Sequence, residues 1–146
     1  MFVLFLTAIA ASLAAAPPAL DRGRAALDRN DVAAAVHLLE AAVAEAPSDA
    51  EAHYELGVAC GRLAERSNVF RRIALAERAR DEFVEAVRLD PDELDARSGL
   101  VQFYTLAPAM FGGSLEKALQ EATEIGRRNA ARGRWALTFI TAHGER

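Results

Sequence analysis

Two runs decide the fold: Ala35-Val-His-Leu-Leu39-Glu-Ala-Ala42-Val-Ala-Glu-Ala-Pro47 and Ala79-Arg-Asp-Glu-Phe83-Val-Glu-Ala86-Val-Arg-Leu-Asp-Pro91. In both, an alanine, a large apolar residue, a second alanine and a proline fall at the same offsets. Gly23 and Gly57, 34 residues apart, precede them. A period in the thirties with small residues at fixed places predicts an all-α chain of helix hairpins. Such units bury their apolar faces only by stacking on one another, as a solenoid.

Outward from these runs, periodicity supplies the helices. Val32, Ala35, Val36, Leu39, Ala42 and Val43 form one apolar stripe, with Asn30 or Asp31 as its cap. Ser48-Asp-Ala-Glu51 reads as a capping box that starts the second hairpin, in which the Ser hydroxyl and the Glu carboxylate satisfy two backbone donors. Ala52, Leu56, Ala59, Cys60 and Leu63 follow on its first helix, and Phe70, Ile73, Ala76, Ala79, Phe83, Ala86 and Val87 on its second. Ten extra residues between Cys60 and Ala79 keep helical spacing, which predicts that both helices gain about a turn and a half, with the bend at Ser67-Asn68. Asp92 to Asp95 opens a third unit, and residues 105–114 read as a loop. A last helix is expected from about Arg134, after Gly133, with Trp135 anchoring it as a cap.

Composition agrees. Of 146 residues, 33 are alanine, the best helix former and small enough for close helix approach. A net charge of −4 offers no general footprint for nucleic acid. Two arginine clusters, residues 62–80 and 127–134, read either as solvated faces paired with carboxylates or as patches for an acidic partner or an anionic membrane surface. Residues 1–16 carry no charge and end in Leu13-Ala-Ala-Ala16, which reads as a signal peptide cleaved near Ala14 to Ala16, placing the chain in the periplasm or outside the cell. An uncleaved N-terminal membrane anchor is the alternative. The lone Cys60 sits on an apolar helix face, where it packs as a small hydrophobe.

These residues resemble the tetratricopeptide repeat family. Counting back from Pro47, Gly23, Ala35, Leu39 and Ala42 fall on the family's small and apolar positions. Leu56, Gly57, Ala79, Phe83, Ala86 and Pro91 do so in the second unit, and Leu100, Tyr104 and Ala118 in the third. The units span residues 17–47, 48–91 and 92–126 of a domain covering 17–146, with a capping helix at about 134–143. The loop Pro108-Ala-Met-Phe-Gly-Gly-Ser114 and the segment Ser67-Asn-Val-Phe-Arg71 look like those of a subgroup of exported bacterial members. The resemblance implies a concave surface lined by each unit's first helix. Its groove positions fall on Arg24, on Tyr54, Val58 and Arg62, and on Ser98, Gln102 and Thr105. The family's carboxylate clamp for peptide C-termini is not reproduced, because Glu55 and Asp95 occupy places where neutral or basic groups are needed.

The chemistry of catalysis is missing from the pattern. His37, His53 and His143 lack a second ligand at helical spacing, so no metal is called for. No nucleophile elbow or phosphate loop occurs, and no cofactor is implied. Gly112-Gly113-Ser114 could cradle an anion at a helix start, or simply form a tight turn capped by Ser114. The leading expectation is a non-catalytic exported scaffold that binds a peptide or protein partner in the groove. The alternative is a small-molecule-binding or transport-accessory protein of the envelope, its ligand held between the long second hairpin and the Gly-Gly loop. A closed apolar pocket flanked by Arg66 or Arg72 favours the second reading, and an open groove favours the first.

Overall fold

The structure, a computed structural model, describes residues 18–144. The leader reading for residues 1–16 lies outside them. Seven α-helices follow in order: α1 (Ala19–Asp28), α2 (Val32–Glu45), α3 (Ala50–Glu65), α4 (Val69–Leu89), α5 (Leu94–Leu106), α6 (Leu115–Arg128) and α7 (Ala130–His143). A short 3₁₀ turn, Ala109–Phe111, joins α5 to α6. α1 pairs with α2, α3 with α4 and α5 with α6, and each hairpin leans on the next through α2–α3, α4–α5 and α6–α7. This is the helix-hairpin solenoid that the repeat predicts.

Side-chain oxygens start nearly every helix by accepting from its orphan amides. Asp31 accepts from Ala34 N, Asn68 from Arg71 N, Ser114 from Lys117 N and Asn129 from Arg132 N. At α3 the cap is Asp49, whose Oδ1 accepts from the amides of Glu51 and Ala52 at 2.9 and 3.4 Å. That corrects the capping box drawn on Ser48: a carboxylate one residue later takes the Glu51 amide, adds that of Ala52, and carries the charge that the helix N-terminus favours. The sharp α1–α2 turn passes through Asn30 at φ 62°, a left-handed conformation that asparagine tolerates.

The second hairpin is the long one. α3 has 16 residues and α4 has 21, against 10 to 14 elsewhere, so their shared end projects past the neighbouring hairpins. The bend is tied down by Ser67 Oγ donating to Leu63 O at 2.8 Å and Arg72 Nε donating to Ala64 O at 3.3 Å. Arg66 donates to the side chain of Asn30, bracing the tip against the first hairpin.

Two main apolar clusters fill the stack, beside a small one of Ala19, Ala42 and Ala52. One runs from Leu27, Val36 and Leu39 through Leu56 and Cys60 to Phe83 and Leu100. The other gathers Val101, Ala118, Ala122, Ile125, Ala136 and Ile140 around the last three helices. Phe83 is the joint of the middle hairpin, because its ring lies against both Gly57 of α3 and Gly99 of α5. A Cβ on either glycine would stand 2.6 Å from that ring. Cys60 is fully buried in the first cluster, and burial pushes its thiol up to about 11, so it packs as an inert hydrophobe.

The C-terminal end departs from expectation. α7 starts at Ala130 and not at about Arg134, with Asn129 as cap. Gly133 therefore lies inside the helix, where it permits α6 and α7 to cross closely: a Cβ there would sit 2.4 Å from the Gly126 Cα. Trp135 does not anchor the cap. It is half-exposed and stacks along its own helix on Phe139, with ring centroids 5.6 Å apart, while Ala136 and Ile140 make the buried contacts.

Candidate functional site

An open groove of about 650 Å³ runs between the long second hairpin, α5 and the 3₁₀ turn. Its floor follows from the packing just described. Gly57 and Gly99 let the helices close on Phe83, so that ring and Val58 form an apolar base. Tyr54 tilts against Phe83 with ring centroids 6.1 Å apart. Burial, with the charges of Asp95, Glu55 and Glu93 adding to it, raises the Tyr54 phenol above its ordinary range, so its hydroxyl remains a hydrogen-bond donor. Phe103, Pro108 and Phe111 close the far wall.

The charged rim comes from the extra turns of α3 and α4. Arg62 donates only to the Leu27 carbonyl, at 3.4 Å, and Arg72 only to the carbonyls of Ala64 and Ser67. Neither is ion-paired among the described residues, so both guanidinium charges are uncompensated by a bonded carboxylate. Glu65 and Glu77 share the rim and give it mixed sign. Most other arginines of the two clusters are engaged: Arg78 with Glu40, Arg80 with Asp81, Arg127 and Arg128 with Glu124, and Arg132 with Asp95.

Of the seven groove positions expected from the sequence, Tyr54, Val58, Arg62 and Gln102 come together here. Arg24 does not join them, because its guanidinium is spent on Glu51 and, at 2.9 Å, Glu55. Ser98 is buried, with its hydroxyl donating to Leu94 O at 2.8 Å. Thr105 is also buried and lines a separate crevice behind the loop. The later helices α6 and α7 cover these two, so they are interior packing and not groove. The sequence offers Arg72 only as the flank of a closed pocket and Phe111 only as a loop residue, presents Phe83 as a repeat position and does not single out Phe103. Only the juxtaposition of α4, α5 and the loop turns Phe83, Phe103 and Phe111 toward one cleft.

The Gly112-Gly113 segment is resolved as a turn. Gly112 has φ 92°, and a Cβ on Gly113 would overlap the Ala107 carbonyl oxygen at 1.7 Å. The loop amides are consumed internally, Gly113 N–H donating to Pro108 O at 3.1 Å and Ser114 N–H to Tyr104 O at 2.9 Å. The amides of the two glycines and of Ser114 are therefore already taken. Among the described residues, no group of three His, Cys, Asp or Glu side chains converges as a metal site, and no helix is long and apolar enough to cross a membrane.

Residues 20–66, covering most of α1 and all of α2 and α3, match the family described as Tetratricopeptide repeat. No curated protein matches the chain. Tetratricopeptide repeats generally mediate protein–protein interaction and are typically non-catalytic scaffolds.

Proposed function

Taking as premise that this is a tetratricopeptide-repeat chain, we propose that it is a non-catalytic exported scaffold whose groove holds one segment of a protein partner. The observation that carries the reading is the joining of an apolar floor, Phe83 and Val58, to two uncompensated guanidinium groups, Arg62 and Arg72, in one open cleft. Aromatic and arginine side chains in such a setting supply most of the binding energy at protein interfaces. The segment would place an apolar side chain on Phe83 and a carboxylate beside Arg62, with Tyr54 and Gln102 offering hydrogen bonds to its backbone. The groove is open along its length, which favours a peptide over the small-molecule alternative, a ligand of that kind being held mostly out of water.

Export rests on the uncharged residues 1–16, and N-terminal sequencing of the protein recovered from cells would show a start near Ala15 to Pro17. Binding is tested by affinity capture with the wild-type chain and with the Tyr54→Ala, Arg62→Ala double variant. The variant is expected to lose the captured partner while keeping its helical circular dichroism. Retention of every partner by the folded variant would overturn the groove as the site.

A further inference from the structure

We propose that the projecting tip of the second hairpin is a docking surface for an anionic phospholipid membrane, in addition to the groove. Topology gathers the parts. Consecutive helices pack side by side across short links and so alternate in direction, which brings the bends inside the three hairpins, residues 29–31, 66–68 and 107–114, to one end of the stack. The three most exposed large hydrophobics among the described residues lie at that end: Phe70 at 87%, Met110 at 82% and Val69 at 63%, where no other passes 46%.

Positive charge accumulates at the same place. Residues 62–72 hold four arginines against Glu65 alone, in a chain of net charge −4. Arg62, Arg66 and Arg72 donate only to backbone carbonyls and to the side chain of Asn30. Arg71 is exposed and has no side-chain bond among the described residues. The opposite end carries the other sign. Its segments 45–51 and 90–95 hold seven carboxylates and no cation, and the nearby Arg128 and Arg132 are spent on Asp92, Glu124 and Asp95. A negatively charged plane therefore turns the tip toward itself and the acidic end away.

The order of side chains selects lipid over an acidic protein. Val69 and Phe70 open α4 at the projecting end, and Arg71 and Arg72 follow directly. Apolar groups at the leading point with guanidinium groups just behind match the boundary of a bilayer, where acyl chains lie beneath phosphates that a guanidinium binds as a fork. A convex point has no cavity for a protein segment, and a fluid bilayer needs none.

The test is flotation of the full chain with vesicles of phosphatidylcholine, alone or mixed with phosphatidylglycerol. Residues 1–16 are uncharged and would bind both vesicle types alike, so the tip is read from the difference between them. Binding should be tighter to the anionic vesicles and should weaken toward the neutral level as salt rises. Phe70→Ser and Arg71→Glu should each reduce anionic binding by about tenfold, with unchanged circular dichroism, whereas Tyr54→Ala in the groove should leave it intact. In Phe70→Trp the added indole should shift its emission to the blue on anionic vesicles, while Trp135, the one tryptophan of the natural chain, should not. No difference between the vesicle types, a difference that survives both tip variants, or an acidic peptide held through Phe70 while anionic vesicles are ignored would each overturn the proposal.

Discussion

His53 and Arg97 occupy the same place in successive units and do the same work. His53 Nδ1–H donates to Glu82 at 2.7 Å and Nε2–H to the Pro47 carbonyl at 2.9 Å. Arg97 donates to Glu121 at 2.6 Å and to the Pro91 carbonyl at 3.0 Å. Each cation ties the proline that ends one hairpin to a glutamate on the second helix of the next. Both neighbours are acceptors, so the imidazolium, with two ring donors, is the form this site favours. Burial opposes that charge, yet the bonds to Glu82 and Pro47 outweigh it and raise the histidine above its ordinary value. A group raised on folding stabilises fully below its unfolded pKa of about 6.5, and that contribution is lost as pH climbs through the folded value. Melting temperature should therefore fall from pH 6 toward pH 9, and His53→Arg should flatten that slope by copying the third unit. An equally steep slope in the variant would assign the pH dependence elsewhere. The glycines divide by the same kind of local reading. Gly57→Ala drives a Cβ into Phe83 and should cost about 1–3 kcal/mol in urea unfolding, whereas Gly61, with nothing within 4 Å, should gain about 0.5–1 kcal/mol as alanine.

At the level of helices, the lengthened second hairpin was legible because Leu63, Phe70 and Ile73 kept helical spacing through the ten added residues. The start of α7 was not. Gly133 after Arg132 reads as a break when glycine is weighed only by its flexibility, and the chain instead uses it for a crossing. That crossing is asymmetric: a Cβ on Gly133 would sit 2.4 Å from the Gly126 Cα, while one on Gly126 would meet nothing closer than 3.8 Å. Gly133→Ala must shift backbone, with an expected loss of roughly 1–3 kcal/mol, and Gly126→Ala should be close to neutral. Equal melting curves for the two would show that α6 and α7 do not pack this way. Tyr54, Val58, Arg62 and Gln102 were placed on the groove by the resemblance, which assigns lining positions to each unit's first helix, and they share one cleft. Ser98 and Thr105 are buried instead, because a position carried over from the resemblance does not say how much of that face the later helices cover.

Across the whole molecule, cohesion is local. The two main clusters meet only at α5, which gives Leu100 to one and Val101 to the other, with Tyr104 touching both. In a stack held by nearest neighbours, a defect should soften its own cluster before it reaches the far one. Ile125 is fully buried in the small C-terminal cluster and Leu39 is fully buried in the larger one, so truncating either to alanine should cost about 2–5 kcal/mol locally. Amide hydrogen exchange distinguishes the outcomes. Ile125→Ala should speed exchange in α6 and α7 and leave α1 to α3 near the wild-type rate, and Leu39→Ala should do the reverse. α5, shared by both clusters, should respond to each. If both variants instead raised exchange evenly along all seven helices, the chain would be unfolding as one cooperative body, and the partition at α5 would have no energetic meaning.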